Sequence, residues 1–175
     1  MKTMHTLIQE IRENLEEDKL LSALTLALTI PDICGKVAYP KLLVGARYRR
    51  WYNEYIYPYE VPSGANNEHI NYALDGYLVY ALRNLVLHEG SLDLESSIRK
   101  HLNLSPNQKV QFVLNDKITS YGMSWAGEAE KDTPNYIIRI NVEDLCRKLC
   151  YVAESFCKDE KNVSDIFHDI LRIEF

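Results

Sequence analysis

Arg83, Asn84 and His88 are the residues whose types and spacing could do chemistry. They close a long apolar segment that stops at Gly90. Histidine changes charge near neutral pH, which suits it to proton transfer. In the last turn of a helix, the carbonyl end of the dipole favours its protonated form. Asn84 stands four residues before His88, so the two share a helical face. Arg83 stands five residues before it, about 140° around a helix that turns 100° per residue. The three groups therefore do not cluster on one helix unless Arg83 reaches around on its long stem or meets a second copy of the site. The same residues also have an ordinary structural reading. His88 would cap a helix C-terminus, and Arg83 would pair with a surface carboxylate such as Asp75 or Glu89.

The element that must position them is read from the apolar period. Ile70, Ala73, Leu74, Tyr77, Leu78, Ala81, Leu82 and Leu85 recur at helical spacing, predicting a helix over 70–88 of about 28 Å. Asn66 or Asn67 suits its N-cap, Glu68 its first turn and Gly90 its end. A second candidate surface is Arg47-Tyr48-Arg49-Arg50-Trp51-Tyr52, on a helix predicted over 41–57 between Pro40 and Pro58. Arg47, Arg49 and Arg50 could hold RNA phosphates while the aromatic rings stack on bases. Helical spacing of Tyr48, Trp51, Tyr52 and Tyr55 also fits rings packed on neighbouring helices behind a solvated cationic face.

Around these, 6–15 reads as an amphipathic helix and 19–29 as a buried central one, with Asp18 as its cap. Pro31 to Gly35 reads as a corner or short new turn. Residues 91–103 read as a helix capped by Ser91. The short β-branched runs 109–114 and 136–140 read as strands joined by a long connection holding Tyr121, Met123 and Trp125. Asn141 suits the N-cap of a helix over 142–157, and 163–171 reads as a last short one. The fold class expected is mainly α, a helical bundle with a small two-stranded β-hairpin inserted at about 109–140, in a single domain over 1–175.

Cys146 and Cys150 share a helical face, but a zinc site would need a fourth ligand and a knuckle spacing that the sequence lacks. Cys34 beside Asp32 has no partnered histidine. His5, His69, His101 and His168 carry no motif, and no phosphate-binding loop or dinucleotide fingerprint occurs. No metal and no cofactor is expected. The composition, 46% hydrophobic with 7 Gly and 6 Pro, argues against disorder. A formal net charge of −5 argues against a generic nucleic-acid coat protein, though not against a local basic cleft. The polar, acidic start is unlike a signal peptide, and the apolar run 20–30 is too short to span a bilayer. With four cysteines and no disulfide framework, a cytoplasmic protein without membrane contact is expected.

Arg83-Asn84 followed by His88 resembles the R-N-x-x-x-H signature of the HEPN superfamily, helical proteins many of which are metal-independent ribonucleases. The resemblance rests on that motif, on its place at the end of an amphipathic helix, and on a helical domain of fitting size. It implies a bundle of four or five helices that dimerises, with two copies of the motif meeting in a cleft. It also implies roles: Arg83 on the scissile phosphate of single-stranded RNA, His88 moving a proton, Asn84 orienting one of them, and the RNA 2′-hydroxyl as nucleophile. A toxin or phage-defence setting with an antitoxin partner goes with it, as does the alternative of an inert RNA- or protein-binding module. The chain lacks the tyrosine that follows the histidine in one toxin branch, and the inserted strands lie outside the minimal bundle. Leu26–Lys36 and Arg47–Ile56 also look like an uncharacterised group of bacterial and prophage proteins, for which the alternative is an accessory helical protein.

Overall fold

The longest helix is built on one apolar stripe. In Val142–Asp159 the residues Val142, Leu145, Cys146, Leu149, Ala153 and Phe156 are buried, at the three-and-four spacing that makes one face. Asn141 starts it by accepting the N–H of Asp144 at 3.1 Å, and Glu143 and Asp144 fill the first turn. The computed structural model describes residues 2–60, 74–88, 92–115 and 136–159. Among them the chain runs α1 (Lys2–Glu16), α2 (Leu20–Ala27), α3 (Ile30–Ala38), α4 (Val44–Tyr55), α5 (Tyr57–Glu60), α6 (Gly76–Leu87), α7 (Leu92–His101), β1 (Val110–Asn115), β2 (Tyr136–Asn141) and α8 (Val142–Asp159). This is the mainly helical fold with a small strand insertion that the sequence predicts.

The core is centred on α4. Tyr48, Trp51 and Tyr52 are fully buried, so these rings pack and none is open to a base. Trp51 stacks on Tyr55 with centroids 5.5 Å apart and meets Phe156 of α8 edge-on at 5.8 Å. α3, α5 and α6 pack on α4, which also meets α8 through Phe156, while α1 and α2 pack on α8. Arg12 of α1 ties to Glu154 of α8 at 2.9 Å. Two glycines let helices approach α4 closely. A Cβ on Gly35 of α3 would stand 2.9 Å from the Arg47 carbonyl oxygen, and one on Gly76 of α6 only 2.5 Å from that of Arg49. The backbone of α4 is thus gripped on two sides.

Several boundaries differ from the sequence reading. Asp18 caps nothing: its φ is 56°, and Lys19 precedes α2 without a side-chain cap bond. Pro31 to Gly35 is no corner but the body of α3, because proline near a helix start loses no needed donor. Pro58 likewise sits inside the short α5 and does not simply end α4. The helical run Leu20–Ala38, 19 residues with mean hydropathy 1.5, is long and apolar enough to cross a membrane, which the shorter span 20–30 is not. A turn at Leu28–Thr29 divides it, and Leu24, Ala27, Leu28, Ile30 and Cys34 are wholly buried against other helices, as in a core pair.

The strands depart most. They pair in parallel, Val110 opposite Tyr136 through Asn115 opposite Asn141, so they are not the hairpin expected. A hairpin needs a tight turn, whereas parallel strands need a crossover of a dozen or more residues; residues 116–135 supply that length. The buried side chains Tyr136, Ile138 and Ile140 of β2 face the helices. Below the core, the wholly buried Glu60 of α5 meets Lys148 of α8 at 3.3 Å. Burial pushes the Glu60 carboxyl up to about 7, an effect that Lys148 and a bond from the Tyr52 hydroxyl only partly offset. The first residues of the helix predicted over 70–88, the predicted cap Ser91, the short helix predicted over 163–171, and Tyr121, Met123 and Trp125 lie outside the described residues.

Candidate functional site

The helix that carries Arg83, Asn84 and His88 is shorter than its apolar period. α6 begins at Gly76, and its N-cap is Asp75, whose Oδ1 accepts the N–H groups of Tyr77 and Leu78 at 3.0 and 2.9 Å. Asn66 and Asn67, the predicted caps, lie outside the described residues. The first N–H, of Gly76, goes to Asn53 Oδ1 of α4 at 2.7 Å. The helix ends at Leu87. His88 is already extended, with φ −135° and ψ 158°, while its N–H still bonds the Asn84 carbonyl.

That change of backbone direction brings the imidazole back over α6. Arg83 Nη1 lies 2.7 Å from His88 Nε2 and donates to Asn84 Oδ1 at 3.2 Å. The three side chains therefore meet within one chain: Arg83 reaches around on its stem, and no second copy is required to assemble them. An arginine can only donate, so His88 Nε2 accepts. The ring is then neutral, with its proton on Nδ1.

The fourth member comes from α3. Asp32 Oδ2 takes Arg83 Nε at 3.2 Å and Nη2 at 3.1 Å. The side chains are 17% and 21% exposed, so the pair is largely sheltered from solvent. Asp32 is the carboxylate that Arg83 meets; Asp75 pairs elsewhere, and Glu89 is not among the described residues. Burial raises the Asp32 carboxyl above the usual carboxylate range, against the opposing pull of the Arg83 and Arg47 guanidiniums. Its Oδ1 is buried with no hydrogen-bond partner. The Tyr48 hydroxyl, pushed well up by its complete burial, donates to the Leu28 carbonyl at 3.1 Å beside this cluster.

The three arginines of α4 separate. Arg47 turns to the Asp32 side, with its Nε buried and unbonded. Arg49 and Arg50 line a groove at the opposite end of α6. Cys34 is fully buried and its thiol is raised, chiefly by the hydrogen bond with Cys157 and then by burial, so it is no exposed nucleophile. Cys146 and Cys150 are buried packing residues of α8, and desolvation raises both thiols, that of Cys150 to about 11. Among the described residues no three His, Cys, Asp or Glu side chains are grouped to hold a metal ion.

No family model, no curated protein and no solved structure matches this chain. The site rests on its geometry. Asp32 is the residue that motif spacing misses, 51 positions from Arg83. One signal was present: Asp32 is a lone acid within the apolar stretch Leu20–Ile33, and a carboxylate drawn into a core needs a cation.

Proposed function

We propose that the chain is a metal-independent endoribonuclease of HEPN type. The observation that carries the reading is the contact of Arg83 with His88 Nε2, backed by Asp32 and Asn84. A cation and a neutral imidazole side by side are what phosphodiester cleavage by an internal hydroxyl needs. The phosphate of a bound strand competes for Arg83 Nη1, and the Nε2 lone pair it releases takes the 2′-hydroxyl proton. The 2′-oxygen attacks phosphorus and the bond to the 5′-oxygen breaks; that oxygen leaves as a hydroxyl on taking the proton back from His88, and the strand ends in a 2′,3′-cyclic phosphate. Arg83 neutralises the charge that gathers on the phosphoryl oxygens. Asp32 fixes the guanidinium from behind, and Asn84 holds its Nη1 edge.

A cytoplasmic homodimer joined along α6, single-stranded RNA as substrate and an antitoxin as partner belong to the same reading. Leu85, 40% exposed beside Asn84, offers apolar surface for such a joint. A second reading draws on the engagement of Arg83 Nε, Nη1 and Nη2 by acceptors already in the chain. That saturation favours an inert RNA- or protein-binding module in which the cluster ties α3 to α6.

Incubation with single-stranded RNA in excess EDTA separates them. The ribonuclease yields 2′,3′-cyclic ends and spares DNA, which lacks the hydroxyl. His88→Ala lowers the rate by about 10²-fold or more, Arg83→Ala weakens both binding and turnover, and Asn84→Ala does less. Binding without cleavage in every variant establishes the inert module. Cleavage that requires a metal and ignores His88→Ala removes the active site from this cluster.

A further inference from the structure

At the end of α6 away from His88, about 20 Å along the helix axis, α4, α6 and α7 border an open groove of about 640 Å³. Its floor is an aromatic stack. The rings of Tyr77 and His101 lie 4.1 Å apart and 13° from parallel. Asp75 fixes the imidazole, its Oδ2 lying 2.7 Å from His101 Nε2. The other oxygen of Asp75 is taken by the N–H groups that start α6.

Two guanidiniums stand at the groove's wall. Arg49 donates through Nε to the Gly45 carbonyl at 2.9 Å, and its centre lies 5.6 Å from the Tyr77 ring centroid. Among the described residues no carboxylate pairs with Arg49. Arg50 lies 4.4 Å over the Tyr39 ring and reaches Glu54 only at 3.9 Å, while the Glu54 carboxylate accepts the Tyr39 hydroxyl. The acids of the groove are thus already engaged, and the terminal donors of Arg49 are the unspent charge.

We propose that this groove binds a nucleoside phosphate, with the phosphate on Arg49 and Arg50 and the base against the Tyr77–His101 stack. A guanidinium presents a planar fork matched to two phosphate oxygens. A base stacks on an aromatic ring whatever its sequence identity. The volume lies within the range of small-ligand sites. The unit arrives either as a free nucleotide or as one link of an RNA strand; only the second source rests on the ribonuclease reading.

Calorimetric titration of the full chain with adenosine 5′-monophosphate tests it, alongside adenosine and inorganic phosphate. Saturable binding of the monophosphate is expected, tighter than either fragment. Arg49→Ala should weaken it by about tenfold or more, Arg49→Lys by less, and His101→Ala by about tenfold, the scale of one base stack. His101→Phe, which keeps a ring there, should recover most of that loss. Absence of saturable binding, or binding unchanged in Arg49→Ala with native circular dichroism, overturns the proposal. Phosphate binding as tight as the nucleotide overturns the stacking role. A 2′-O-methyl trinucleotide that binds far tighter than the monophosphate, with the gain lost in Arg49→Ala, identifies the strand as the source; equal affinity identifies the free nucleotide. Arg49-dependent nucleotide binding in a chain that never cleaves RNA would end the ribonuclease reading and leave this site standing.

Discussion

Replacing Glu60 by glutamine should change how stability depends on pH more than it changes stability itself. Glu60 is wholly buried, and its carboxyl sits at about 7 against an ordinary 4.5. Below the ordinary value the carboxyl is protonated in both folded and unfolded chains, and burial carries no ionic cost. Between the two values the unfolded chain releases its proton while the folded chain keeps it, so stability falls as pH rises. Above the folded value the full cost is present. A displacement of this size corresponds to ~3 kcal/mol. Glutamine does not titrate, and Lys148 retains Asp144 as a partner at 3.9 Å. Urea unfolding of both proteins at about pH 5 and about pH 8 reads the effect, because the groups remote from residue 60 contribute equally to the two and cancel. Relative to the parent, Glu60→Gln should gain most of the ~3 kcal/mol on going to the higher pH. A difference between the two proteins that stays flat over that window, or falls, would refute the assignment of a proton to the folded Glu60.

Other substitutions test other parts of the frame. Gly35→Ala puts a methyl 2.9 Å from the Arg47 carbonyl oxygen; the two helices must part, costing about 1–3 kcal/mol in denaturant unfolding and loosening Asp32 from Arg83. Asp75→Ala removes the cap of α6 and the partner of His101, so it should cost somewhat more than the ~1 kcal/mol of a cap alone, read as a lowered thermal midpoint. Of the four cysteines, Cys157 should react first with iodoacetamide. It is only half-buried, and the hydrogen bond from Cys34 lowers its thiol while those of Cys34, Cys146 and Cys150 are raised. Peptide mass mapping after brief labelling checks the order, and prior labelling at Cys146 would contradict it.

What the sequence made legible was local. Asn141 followed by Glu143 and Asp144 announced the start of α8, and the spacing of Tyr48, Trp51 and Tyr52 announced a buried face on α4. Arg83, Asn84 and His88 were found by their spacing, but not the geometry that joins them. A straight helix keeps Arg83 and His88 apart, and only the extended backbone at His88 brings them to 2.7 Å. The start of α6 was hidden because the apolar period runs on through Ile70 and Ala73, although Asp75 carried the capping chemistry. Asp32 and His101 find their partners across 51 and 26 residues, and no periodicity reports a contact of that range. Strand direction was equally hidden: alternation and β-branching mark a strand but say nothing of which way its neighbour runs.

The parallel pairing of β1 and β2 has a kinetic consequence. Two antiparallel strands zip outward from their turn, but here the chain must travel back along the whole strand, roughly 20 Å, before the first rung can form. Closing the pair costs the entropy of bringing together two segments distant in sequence. Its ends are held by the neighbouring helices, at Val110, whose N–H bonds Glu95 of α7 at 3.1 Å, and at Asn141, where α8 begins. The sheet should therefore close after α7 and α8 have docked. In pulsed hydrogen exchange during refolding, the amides of β1 and β2 should gain protection later than those of α4 and α8, making this small insertion the last-locked part of the described fold.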